Sequence, residues 1–108
     1  MRIDTPRIRA DNDAFRIDNA GAGRWVISQG ISVMPVELAD IIAKVRAYRE
    51  FDEADGPPEH DFGAFDHDGQ RIFWKIDVMD RTYTSASHDP TDPRKTRRLL
   101  TVMLASEY

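Results

Sequence analysis

With 108 residues, 41% of them apolar and 31% charged, the chain has the make-up of one small globular domain with a single modest core. It contains no cysteine, which excludes disulfides, thiolate nucleophiles and cysteine-based zinc sites. The net charge of −4 is segregated: residues 50–68 carry eight acids and no Lys or Arg, whereas 1–49 and 69–108 are each net +2. An acidic block of this kind repels nucleic acid and attracts a basic partner.

The opening stretch MRIDTPRIRADND has no apolar region of the kind a secretory leader needs, and no run approaches a membrane span, so a cytoplasmic location is expected. Asp4 or Thr5 is placed to cap a short helix from Pro6, with Ile8, Phe15 and Ile17 as its apolar contacts. Residues 18–23, DNAGAG, form a turn by composition. A strand over about 24–28 follows, with Trp25, Val26 and Ile27, and Gly30 permits a bend after it. Residues 35–51 carry the clearest helical period, with Pro35 in the first turn and Leu38, Ile41, Ile42, Val45 and Tyr48 on one stripe. Phe51 completes that seam, and Asp55-Gly56-Pro57-Pro58 ends it.

Asp68-Gly69 is a preferred two-residue hairpin turn, because both central residues need positive φ. That turn pairs His67 with Gln70, Phe65 with Ile72, and Gly63 with Trp74, where the missing side chain leaves room for the indole. Ile72, Trp74, Ile76 and Val78 then share a core face, opposite Phe73, Lys75, Asp77 and Met79. After a polar loop over 81–93, Asp92-Pro93 reads as a cap and first turn, predicting a last helix over 94–108 with Leu99, Leu100, Met103 and Leu104 buried. The expected fold is α+β in the order α-β-α-β-β-α. It is one domain over 1–108, with 1–20 as a helix or arm. A small antiparallel sheet of three to four strands carries helices on one face.

Extending the hairpin register places His60 opposite Asp77, with Lys75 on the same strand. A carboxylate that fixes an imidazole tautomer makes a general base, so His60, Lys75 and Asp77 are the candidate catalytic residues. An ordinary cross-strand polar pair accounts for the same residues, and no nucleophile or cofactor motif accompanies them. A metal cluster of His60, Asp61, Asp77 and Asp80 is disfavoured, since Asp61 and Asp77 fall on opposite faces. Turns and capping explain Asp89 and Asp92. No cofactor or metal is expected. Arg94, Lys95, Arg97 and Arg98 at a helix start form an anion site, or else neutralise the acidic block internally.

The stretches EHDFG, FWKID and LTVMLASEY, together with GRWVISQGI and PVELADIIAKVRAY, resemble an uncharacterised bacterial family, domain of unknown function 3768, across roughly residues 12–108. The family pattern has an aromatic-rich DYYD where this chain has Asp77-Val78-Met79-Asp80. The resemblance implies an alphaproteobacterial protein of plasmids and other mobile elements, and it carries no catalytic residue. The function expected is therefore an accessory interaction protein that binds a host or plasmid-encoded protein through charged surfaces. Asp52, Glu53, Asp55 and Glu59 form one surface, and Arg94, Lys95, Arg97 and Arg98 the other. A sharper form is inhibition of a host nucleic-acid-binding defence complex by its acidic face. The alternative is a small metal-assisted or His/Asp-dependent hydrolase or nuclease. A protein partner is expected ahead of nucleic acid or a second copy, and no membrane.

Overall fold

The computed structural model describes residues 4–34 and 38–108. Helix α1 spans Thr5–Asp18; the Asp4 side chain accepts the Arg7 N–H at 3.1 Å, and Pro6 occupies the first turn. Asn19, left-handed at φ 58°, closes the helix and returns its N–H to Phe15. The buried stripe of α1 is Ile8, Asn12, Phe15 and Arg16, half of it polar, while Ile17 is exposed.

Strand β1 (Gly23–Ile27) leads into α2 (Gln29–Ser32), a single turn capped by Ser28 where the sequence suggested only a bend at Gly30. Helix α3 is described over Leu38–Ala47 and buries Ile41 and Val45. The expected start at Pro35 lies outside the described residues. Tyr48 and Phe51 still pack on the core although the helix stops before them.

The hairpin β2 (Phe62–His67) and β3 (Gln70–Met79) has the expected register, with Phe62 opposite Lys75, Gly63 opposite Trp74 and His67 opposite Gln70. Asp68 and Gly69 both take positive φ in the turn. A Cβ on Gly63 would overlap the Trp74 indole, so the fully buried Trp74 sits where only glycine leaves space.

The last element corrects the sequence reading. Residues Arg97–Leu104 form strand β4, followed by a single 3-10 turn over Ala105–Glu107. The Asp92 carboxylate accepts the Arg94 N–H at 2.9 Å, an Asx turn and not a helix cap. The cause of the difference is burial on both faces. Arg98, Leu100 and Val102 point into the core while Met103 is also buried on the opposite side, so apolar doublets replace alternation and imitate a helical stripe.

The sheet order is β1-β4-β3-β2. β4 pairs antiparallel with β3 but parallel with β1, so the sheet has four strands and is mixed where an antiparallel one was expected. The α+β class holds, and the helices pack on one face. Phe15, Ile31, Ile41 and Val45 meet Trp74, Ile76, Leu100 and Val102 there. Tyr108 leans on Phe62 and Phe73 of the opposite face, with ring centroids 6.0 and 5.6 Å away.

Candidate functional site

The candidate catalytic residues do not converge. The β2–β3 ladder ends at Phe62 and Lys75, and His60 lies beyond it with φ 52°. Its Nδ1 is 3.0 Å from the Asp13 carboxylate of α1, and its ring stacks on Phe51 at 3.9 Å and 4° between planes. Asp77 instead accepts Lys75 Nζ at 3.1 Å on the sheet face away from the helices. The expected His60–Asp77 pair is thus replaced by His60–Asp13. Left-handed backbone at His60 turns the chain out of the strand before the ring can face β3, and the ring meets Asp13 of α1 instead. Among the described residues no group of three or more His, Asp or Glu side chains is placed to hold a metal ion.

The acidic block is a loop and strand held from inside the molecule. Phe51 anchors it, meeting Tyr48 and Trp74 edge to face at 5.1 and 6.1 Å, with the Arg16 guanidinium 5.5 Å from its ring centroid. From α1, Asn12 Nδ2 donates to the Glu59 carbonyl at 3.0 Å and Arg9 Nε donates to the Pro58 carbonyl at 2.5 Å. Asp52 tightens the tip by accepting the N–H groups of Ala54 and Asp55. Asp52, Glu53 and Asp55 are exposed, and none of them forms an ion pair among the described residues. Glu59 differs: it is half-buried, and burial followed by the charge of Asp61 pushes its carboxyl above the ordinary carboxylate range.

Two clefts flank this loop. One of about 340 Å³ is lined by His60, Arg9, Phe51 and Glu53. The other, about 560 Å³, runs between the loop and β2, with Tyr48 and Phe51 on one wall and Phe62 to Asp66 on the other.

The basic run is dispersed. Arg94 and Lys95 are exposed, and Arg94 Nε lies 3.3 Å from Asp92. Arg97 donates to the Thr96 carbonyl at 2.8 Å. Arg98 is buried beneath α1 and donates Nε–H to Asn12 Oδ1 at 2.6 Å. In strand geometry Arg97 and Arg98 point to opposite faces, so the four cations do not form one patch.

Asn12, Asp13 and Arg16 position the site and were absent from the sequence reading. Their period of three to four residues is that of a helix face, but polar side chains on such a face read as solvated. Arg16 is nearly fully buried and donates to the carbonyls of Val45 and Arg46 at 2.7 and 3.1 Å. Arg46 in turn donates to the carbonyls of Arg16 and Ile17 at 3.0 and 3.2 Å. Each helix thereby supplies the cation that satisfies the other's last carbonyls.

Residues 27–107 match the family model described as "Protein of unknown function (DUF3768)", and the chain belongs to that family. No curated protein matches significantly, and neither does any solved structure.

Proposed function

We propose that this DUF3768 member is a binding module that engages a protein partner through the acidic loop over residues 50–59. In this reading the partner is a host or plasmid-encoded protein, and the module belongs to a bacterial mobile element. Its sharper form is inhibition of a nucleic-acid-binding complex whose basic groove the carboxylates occupy. The observation that carries the reading is the placement of Asp52, Glu53 and Asp55: all three are exposed, none is ion-paired among the described residues, and the loop is anchored by Phe51 on the core. A loop held in one conformation binds without the entropy cost of ordering. The test is a tagged pull-down from an alphaproteobacterial lysate, with nuclease treatment in parallel, using wild type and the variant Asp52→Lys/Glu53→Lys/Asp55→Lys. We expect a nuclease-resistant protein partner for wild type and none for the variant, with circular dichroism unchanged. Equal capture by both proteins removes the reading.

A second reading, hydrolysis, rests on the Asp13–His60 pair. The carboxylate on Nδ1 leaves Nε2 on the far side of a ring that lines the 340 Å³ cleft with Arg9. An imidazole oriented in this way activates water, and a guanidinium beside it suits an anionic substrate. His60→Asn tolerates the left-handed backbone and removes the base. Hydrolysis of a generic phosphodiester by wild type, lowered by about a hundredfold in the variant, is the expected result. Wild type without hydrolysis, in the presence or absence of magnesium and manganese, sinks this reading.

A further inference from the structure

We infer that the outer edge of β2 accepts an extended, basic segment of the partner as a fifth strand of the sheet, which deepens the binding reading above and rests on it. β2 is the last strand of the sheet, and among the described residues only its inner edge is paired. The bond from Ile76 N–H to the Asp61 carbonyl sets the alternation of the ladder. Gly63, Phe65 and His67 therefore turn their backbone groups toward β3, whereas Phe62, Ala64 and Asp66 turn theirs outward. No hydrogen bond from the described residues reaches those outward N–H and C=O groups.

Exposed edges are ordinarily blunted by Lys, Pro, a bulge or a covering segment. The edge FGAFDH carries neither Lys nor Pro, and its ladder is unbroken from Phe62 to His67. The loop that would cover it stands off, leaving the cleft of about 560 Å³ along five consecutive β2 residues. Six residues of strand offer roughly 20 Å of pairing length. Tyr48 and Phe51 provide an apolar wall for alternate side chains of the incoming segment.

Charge selects the occupant. Among the described residues, Glu50, Asp52, Asp55 and Asp66 line the cleft against the cation Arg71. A second copy docking edge to edge would bring two such acidic rims together, and like charges directly opposed are destabilising. An extended segment bearing Lys or Arg at alternate positions meets complementary charge and unpaired backbone at once.

The test uses the full chain and two labelled octapeptides of equal charge, one alternating Lys and Val, the other alternating Lys and Pro. Only the first forms a strand. By fluorescence anisotropy the Lys-Val peptide is expected to bind about tenfold more tightly or better. In its complex the amides of Phe62, Ala64 and Asp66 should be protected from hydrogen exchange. Ala64→Pro removes the central outward N–H and leaves the ladder to β3 intact, so it should lower the Lys-Val affinity to that of the Lys-Pro peptide. Equal binding of the two peptides, binding of neither, or unprotected edge amides in wild type overturns the inference, and the exchange measurement stands even where Ala64→Pro fails to fold. In the lysate pull-down, capture retained by Ala64→Pro but lost by the acid-reversed variant overturns strand addition and leaves the binding reading standing. Capture retained by both overturns the two together.

Discussion

Arg16 shows how much a single residue contributes when its donors meet the right acceptors. A guanidinium 1% exposed carries a large desolvation cost, which lowers its pKa despite the carboxylate of Asp13. The bonds to the Val45 and Arg46 carbonyls offset that cost, and the stack over Trp74, 5.0 Å from its centroid, adds cation–π attraction. Among the described residues its Nε–H has no partner, as is true of Trp74 Nε1. Arg16→Ala leaves the Arg46 carbonyl unmet, leaves the Val45 carbonyl only the Tyr48 N–H, and opens a void beside Trp74. We expect a loss of roughly 2–4 kcal/mol, read as a lower urea midpoint at unchanged slope. Arg16 could not be read from the sequence, because its role exists only once the C-terminus of α3 lies beside α1.

At the scale of elements, the hairpin was legible and the last strand was not. Asp68-Gly69 determines its own turn type, the turn determines the register, and the register brings Gly63 against Trp74. Each step is local. Gly63→Ala is expected to destabilise by about 1–3 kcal/mol through overpacking, seen as a lower melting temperature with the same circular dichroism spectrum. β4 is the opposite case. Leu99-Leu100 and Met103-Leu104 fit a helical stripe and a doubly buried strand equally well. Its neighbours β1 and β3 decide between them by supplying hydrogen-bond partners on both edges, one of them through a parallel pairing that joins residues some 75 positions apart.

For the whole molecule, charge and pH are linked. Hydrogen bonds from Ser85 and from the Thr84 and Thr82 backbone hold Asp80 below the ordinary carboxylate range, and the Arg94 side chain and backbone do the same for Asp92. Ser28 and the N–H groups of Leu104 and Gly30 likewise lower Glu107. A carboxyl with a depressed folded pKa contributes stability above its unfolded pKa, near 4, and loses it as pH falls through the folded value. Glu59, raised by burial, acts in the opposite sense, favouring the folded state as it protonates. With the Asp80, Asp92 and Glu107 carboxyls lowered, the urea midpoint should stay level from pH 7 to about 5 and fall below about 4.5. Asp80→Asn should make that fall shallower.

The chain by itself determined the features that depend on near neighbours: the capped α1, the turn before β1, the hairpin register and the segregation of acids into residues 50–68. Backbone sterics, turn chemistry and a two-residue alternation act within a few positions and leave their mark in the order of residues. The tertiary structure alone decided that 97–104 is a strand, that His60 faces Asp13 and not Asp77, and that the basic run is split between solvent and core. Those outcomes turn on contacts between distant segments, where burial and hydrogen-bond satisfaction override local preference.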